Sequence, residues 1–482
     1  MRSSNLSHVE PAGAGRVQIT MSPYHGEVDF SAVGRIPRGI EAIDPVSLAD
    51  LFRNAFVYPP HSIYKNVKIA TFGFDPAQDM YASPPFRFDY PGAGKGSTSP
   101  DQGDVAAWTA IYHQHLCEAV GEACAGMQAP WLLQSGGKDS TSLAIAVAEA
   151  RPDTTCVTYL GGREEDEVAS ARAVAGKLGL RHEVLLCDPG RAYDRYLAMV
   201  DRMPLLCADF ALLSYADLVT DIAGAGGDGI VDGLGSDIYF GAPADSKLRM
   251  RSLLAREMRL PHAIVDSRLV SRSFKLSFAL ATAQMHAFER FFPGSRFSNA
   301  EVDALFGRDI ASRSRQRMEA FRRAMESAGS FDDRRAVSIV VVESAASFAK
   351  GLYSAEALSL RAAYPFCQAR LREWVYREAP PALRVDPKTG VNKVLVRHHI
   401  ARHFDKLPYV TGKGSFRFDL VGLAAARFDQ VRAYAELAGD VLPGAVPWLD
   451  RHRNRLDNKY HASKFYLLAI ALPWLLSRAG RA

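Results

Sequence analysis

The sequence predicts an α/β protein: a doubly wound parallel sheet with a large helical C-terminal portion and a small N-terminal α+β piece. Three observations carry this. Short apolar runs alternate with helical-period segments between about 130 and 232. A glycine-rich turn follows the first of those runs. Beyond about residue 243 only helical patterns remain.

The strands are expected at 131–133, 155–160, 182–186 and 229–232, and the helices near 140–150, 165–178, 192–201 and 214–223. Such alternation builds crossover units whose parallel strands are buried on both faces. The helical patterns that follow are broken near 293–298, 329–333, 380–390 and 443–447, with no internal repeat or heptad seam. Ahead of the sheet, residues up to about 17 read as a loose leader, 17–21 and 67–72 as β-like pieces, and 45–55 as a short helix. The stretch 91–103, PGAGKGSTSPDQG, is a linker by composition. Its Gly94 and Lys95 lack the flanking residues of a phosphate-binding GK pair. Residues 104–123 read as an amphipathic helix burying Val105, Trp108, Ile111, Tyr112, Leu116 and Val120. Two regions follow: 1–104, the N-terminal piece and linker, and 105–482, the principal domain.

The 482 residues are 48% hydrophobic and 23% charged with a net charge of +5, an ordinary globular balance too mild to argue for nucleic acid. Arginines cluster at 249–272 and 308–335, where solvated helix faces are the plainer reading. Cys117, Cys124, Cys156, Cys187, Cys207 and Cys367 form no CxxC pair and read as core residues of a reducing compartment. The N-terminus lacks an apolar signal core, and the apolar run 465–476 is too short to span a bilayer. A cytoplasmic protein without membrane contact is expected.

The stretch around which the chain is organised is WLLQSGGKDSTS, 131–142. Strand, glycine turn and helix bring backbone amides and the positive end of a helix dipole to one anion. Lys138 adds positive charge. Asp139 would repel a phosphate unless a Mg²⁺ ion lies between them. A nucleotide with Mg²⁺ is therefore expected there. A second turn, DGLGSDIYFG at 232–241, follows the fourth strand. If the two loops meet, Asp139 and Asp237 clasp Mg²⁺ on a triphosphate. Other pairs read as structural. His113 and Cys117 share a face of a half-buried helix, and His399 and His403 lack the glutamate of an HExxH zinc motif.

The loop at 135–140 resembles the SGGxDS pyrophosphate loop of the ATP pyrophosphatase, or PP-loop, superfamily. The turn at 232–241 is similar to the SGEGxDExFGG signature of the asparagine synthetase family. The resemblance continues in DEVASARAVAGKLGLRH (166–182), SLRAAYPFCQARL (359–371), NKVLVR (392–397), the turn at 412–416 and the helix at 464–476. Residues 45–65 are similar to the end of that family's glutaminase domain, but Arg2 stands where its nucleophilic cysteine belongs. The chain thus resembles the glutaminase-free members, such as β-lactam synthetases, carbapenam synthetases and lasso-peptide cyclases. The implied fold is the adenine nucleotide α-hydrolase-like sheet.

The resemblance implies two half-reactions with ATP and Mg²⁺: a carboxylate attacks the α-phosphate, then ammonia or an amine displaces AMP from the acyl-adenylate. Ser135, Gly136, Gly137, Lys138, Asp139 and Ser140 would hold pyrophosphate. Tyr159, Gly233 and Leu234 would complete the nucleotide site. Asp139 and Asp237 would bind the metal. Lys393, with Arg397 one turn on, would stabilise charge at the α-phosphate and the tetrahedral oxyanion. The sequence departs from the family on the acceptor side. Leu234 replaces the signature glutamate and transfers no proton. Asp232 replaces a serine, and Arg361 and Ala363 replace a glutamate and an arginine. Asp232, Glu343 and Glu356 are the candidate substitutes for the missing acid.

The expected partners are a small-molecule or peptide carboxylate, an amine or ammonia donor, and a separate amidotransferase or pathway protein. Membrane and nucleic acid are not expected partners. Two other readings stay open: a catalytically impaired nucleotide-binding regulator, motivated by Leu234, and an RNA-modifying PP-loop pyrophosphatase, motivated by the arginine clusters.

Overall fold

The computed structural model describes residues 15–21, 28–87, 102–161, 165–241, parts of 249–291, 296–405 and 418–481. The leader, most of the 91–103 linker and the 412–416 turn lie outside these residues.

Among the described residues, seven strands fall in two parallel sheets. In the smaller, β1 (Val17–Thr20) pairs with β2 (Val67–Ala70). The main sheet contains β3 (Pro130–Leu133), β4 (Thr155–Leu160), β5 (Arg181–Leu186), β6 (Gly229–Val231) and β7 (Arg361–Ala363), in the order β5-β4-β3-β6-β7. Alternate residues serve two cores: Leu132, Cys156 and Val231 face one, Leu133, Val157 and Ile230 the other. Burial on both faces is why β3, β4 and β6 read as apolar runs. From β3 the chain advances outward through β4 and β5, then returns to β3's other side with β6. The reversal leaves a crevice beyond the C-terminal ends of β3 and β6, where open α/β sheets bind ligands.

The fifth strand corrects the expectation that strands end near residue 243. β7 has three residues, the first exposed, and no apolar run announces it. It forms because β6 pairs with it, Ile230 opposite Ala362.

The helices that build the site and its surroundings are α1 (Pro45–Asn54), α2 (Gln102–Ala123), α3 (Lys138–Ala150), α4 (Glu165–Lys177), α5 (Pro189–Met199), α6 (Leu212–Gly224), α7 (Phe331–Val342), α8 (Phe348–Ala357), α9 (Val394–His403), α10 (Leu420–Leu437) and α11 (Lys459–Ala479). Local signals set several starts. Asp44 caps α1 ahead of Pro45, Asp188 caps α5 ahead of Pro189, and Ser330 closes a capping box with Asp333 at α7. A π turn, Glu343–Ser347, joins α7 to α8. The continuous helix Phe331–Ala357 is long and apolar enough to cross a membrane, but 67% of its apolar window is buried within the protein. It therefore reads as a core helix.

The N-terminal piece packs on the rest of the chain. Ile19, Leu48 and Phe52 belong to one apolar core with Leu472 and Trp474 of α11. The rings of Tyr64 and Trp474 lie 5.7 Å apart, and those of Phe52 and Phe297 5.6 Å. Between the two portions Arg53 forms a buried ion pair with Glu289 and hydrogen-bonds Asn299 at 3.0 Å, with Arg296 3.8 Å from the same carboxylate. Burial alone would raise the Glu289 carboxyl, but the two guanidinium groups outweigh it and hold the group below its ordinary value. All six cysteines are free.

Glu289→Gln would strand two guanidinium groups away from water. The expected loss is about 3–5 kcal/mol of stability, read as a lowered denaturant midpoint. An unchanged midpoint would show that the N-terminal piece is not anchored by this pair.

Candidate functional site

The 135–140 loop begins where β3 stops. The Gln134 amide donates to the Val157 carbonyl at 2.8 Å, and the Gln134 carbonyl accepts from Thr158 Oγ1 at 2.8 Å, so the chain leaves the sheet in a fixed direction. Gly136 has φ +65°, and a Cβ there would stand 3.2 Å from the Glu167 carbonyl oxygen at the start of α4. Only glycine makes this turn without strain. Gly137 is the N-cap of α3 and no side chain caps the helix. The loop instead binds itself: Ser140 Oγ donates to the Gly137 carbonyl at 3.2 Å and accepts from the Ser135 amide at 3.3 Å. The helix thus presents its dipole and first-turn amides without a capping oxygen, the arrangement that attracts an anion.

The other loop leaves β6 at Asp232, whose amide donates to Ala363 of β7 at 2.9 Å. Gly235 has φ +95°, and a Cβ there would lie 2.5 Å from Cys367 Sγ. The Cβ position of Gly233 is 3.7 Å from the Ser140 amide nitrogen, so the two loops touch. A single helical turn, Ser236–Tyr239, then carries Asp237.

Lys393 closes the arrangement from the helical half. It is the N-cap of α9 in the left-handed region, φ +59°, with its amide donating to the Arg384 carbonyl at 2.6 Å and the Phe240 carbonyl at 3.1 Å. Its Nζ lies 2.8 and 2.7 Å from the two oxygens of Asp139, 2.5 Å from Asp237 Oδ1 and 2.8 Å from Ser236 Oγ. Burial favours the neutral amine, but the Asp237 and Asp139 carboxylates outweigh it and hold the ammonium above its ordinary range. Both carboxylates therefore converge on one cation. Their oxygens are hard donors from two separate strand ends, the set that suits Mg²⁺. The side chain of Asp237 is 48% exposed, so the cluster has an open side.

The model for asparagine synthase matches residues 113–426, well over half of the chain. The chain belongs to the asparagine synthase family. No curated protein matches it. Membership makes it one of the ATP-dependent, AMP-forming carbon–nitrogen ligases, whose members use ATP typically with Mg²⁺.

Within this asparagine synthase-family site the other sequence candidates separate. Arg397 turns back, its Nε donating to the Asn392 carbonyl at 2.9 Å, and so braces the turn that holds Lys393. Tyr159 lies on β4 with its hydroxyl 2.8 Å from Asp217 of α6, a carboxylate also held by Arg191 at 2.7 Å. That hydroxyl is therefore turned toward α6. Asp232 is buried behind the loop: its carboxylate accepts from the Tyr215 hydroxyl and, at 3.1 Å, from the Leu234 amide. Burial raises its carboxyl above the ordinary value. Glu356 is exposed, and its charged neighbour is Asp29 of the N-terminal piece.

Of the three candidate acids, Glu343 is the one drawn to the cluster. It opens the π turn, and its Oε2 is buried without a hydrogen-bond partner. Burial, then the neighbouring Asp237 carboxylate, push its carboxyl up to about 8 against the pull of Lys393 and Lys350. Single π turns often mark functional positions in helices. Sequence reasoning missed Ser236, Tyr215 and Lys350. Lys350 stacks 5.1 Å over the Tyr215 ring and lies 3.6 Å from the Asp209 carboxylate. The available signal was charge inside the apolar run VSIVVVESAASFAKG, where a lysine is costly to bury without a partner.

Asp139→Asn or Asp237→Asn should weaken binding of Mn²⁺ with ATP by at least about tenfold, followed by electron paramagnetic resonance. Lys393→Met removes the ammonium that competes for both carboxylates, and should leave Mn²⁺ binding equal or tighter. Affinity equal to the parent's in both aspartate variants would remove the metal assignment.

Proposed function

We propose that the chain is a PP-loop amide synthetase that adenylates a small-molecule or peptide carboxylate and passes the acyl group to ammonia or an organic amine. The convergence of Asp139, Asp237 and Ser236 on the Lys393 ammonium carries this reading. In it, the amides and hydroxyls of 135–140 bind the pyrophosphate portion of ATP. Asp139 and Asp237 hold Mg²⁺, which when bound neutralises charge on the triphosphate. Lys393 passes from its carboxylates to the α-phosphate oxygens as the substrate oxygen bonds to phosphorus and the bond to pyrophosphate breaks. The amine nitrogen then bonds to the acyl carbon, the carbon–oxygen bond to AMP breaks, and the nitrogen gives up a proton.

We assign that proton to Glu343. Leu234 cannot take it, and a half-buried carboxylate whose buried Oε2 has no hydrogen-bond partner can. Asp232 keeps a positioning role, fixing the loop through Leu234 and Tyr215. In this reading a separate amidotransferase or a free amine supplies the nitrogen. The RNA reading is disfavoured because several clustered arginines are paired: Arg317 with Asp44 and Asp50, Arg322 with Glu319, Arg315 with Glu257.

The test is a screen for acid-dependent AMP release alongside pyrophosphate–ATP exchange. Asp139→Ala and Lys393→Ala should abolish both; activity surviving both changes overturns the site assignment. Absence of exchange with every acid, despite tight ATP binding, would favour the impaired regulator.

Glu343→Gln should keep exchange while slowing amide formation about 10²–10⁴-fold. A base must be ionised, and this carboxyl sits at about 8. Amide formation should therefore rise as pH climbs through that value in the parent chain and lose that limb in Glu343→Gln. An identical pH profile in both would assign the proton elsewhere.

A further inference from the structure

Two residue pairs that read as ordinary helix faces in the sequence meet in the fold. α2 contributes His113 and Cys117, and α9 contributes His399 and His403. One ring nitrogen from each of His113, His399 and His403 lies within 4.8 Å of the other two. His113 Nδ1 and His399 Nε2 are 2.8 Å apart. The remaining nitrogen of each ring faces an oxygen. His399 Nδ1 is 2.8 Å from Ser142 Oγ, His403 Nδ1 is 2.9 Å from the His399 carbonyl, and His113 Nε2 is 2.9 Å from Glu149 Oε2. Metal-bound imidazoles are held in this way: an outer N–H donates to an oxygen and fixes the ring, leaving the inner lone pair for the ion.

We propose that His113, His399 and His403 bind one divalent transition-metal ion of the Zn²⁺ type, outside the ATP site. Tetrahedral Zn²⁺ with bonds of about 2.0–2.1 Å needs nitrogens roughly 3.4 Å apart. The three rings are thus a small rotation from closing on it. Cys117 Sγ lies 3.6 Å from His113 Nε2 and 4.0 Å from Nδ1, on the side of that ring that faces Glu149. The donors are imidazoles, which favour Zn²⁺ over Mg²⁺. His399 is fully buried, half-buried His113 and His403 border it, and the neutral ring that ligates a metal is the one burial favours.

The position gives the ion a consequence. Lys393 is the N-cap of α9, and Asp139, in the first turn of α3, lies one turn before Ser142. Ser142 Oγ also meets the Tyr112 hydroxyl of α2 at 2.9 Å. An ion at the three histidines therefore pins α2 to α9 and, through Ser142, to α3. It steadies the spacing between Asp139 and Lys393 without touching ATP.

The test uses the full chain, stripped with chelator and titrated with Zn²⁺ and separately with Co²⁺. One ion per chain is expected, with a dissociation constant below about 1 μM, the visible spectrum of tetrahedral Co²⁺, and retention in excess Mg²⁺. His403→Gln and His113→Gln, at half-buried positions, should each weaken binding at least tenfold while keeping the parent far-ultraviolet circular dichroism. Zn²⁺ should also raise the thermal midpoint of the parent chain and not that of His403→Gln. No stoichiometric binding, or binding unchanged in the doubly substituted His113→Gln, His403→Gln chain, would overturn the proposal and leave a hydrogen-bonded imidazole cluster.

Discussion

A buried ammonium between two carboxylates holds the candidate site together. Lys393 is buried, carries its charge there, and adopts a left-handed backbone conformation that a side chain other than glycine enters at a cost. Burying that charge is unfavourable unless it is paired and hydrogen-bonded. Asp139, Asp237 and Ser236 supply the pairing: Asp139 from the helix start after β3, and Asp237 with its neighbour Ser236 from the one-turn helix after β6. The turn at Lys393 is in turn fixed by the Arg384 and Phe240 carbonyls and braced by Arg397. One interaction therefore locks three remote segments into a common frame.

Around that frame the acidic groups divide by solvation. Asp237 lies toward solvent. Asp232 is sealed behind the loop, where Tyr215 and the Leu234 amide satisfy it. Glu343 is half-buried, its Oε2 sealed without that satisfaction, and the π turn is what places it there. A carboxyl in this state is poised between charge and neutrality near physiological pH. The family signature acid is replaced at Leu234 by an apolar side chain packed near Cys367. In the proposed reading, Glu343 on a different element takes that acid's place.

Much of the sheet is legible in the chain because its signals are local. Apolar runs, a glycine turn and an alanine-rich helix state β3–α3 within a few residues, and the apolar run at 155–160 has the bounds of β4. The loop glycines are readable for the same reason, since a positive φ constrains the residue that bears it. β7 is not legible: three residues with an exposed arginine contain no period, and pairing with β6 alone makes them a strand. Ser236, Tyr215 and Lys350 are equally silent, because each matters only through a neighbour that is distant in the chain. The histidines of α2 and α9, taken one helix at a time, carry no metal signature. Their meeting is a property of helix packing.

By itself the sequence determined the strand–turn–helix units, the two glycine loops and the residue types able to hold a triphosphate and its cation. Backbone preference and hydrophobic period act over a few residues and need no partner. Only the tertiary structure decided that Asp139, Asp237 and Lys393 share one charge cluster, that Glu343 rather than Glu356 borders it, and that three histidines from two helices face one another. Those outcomes depend on burial and on distances between residues far apart in the chain, which exist only once the helical half has packed against the sheet.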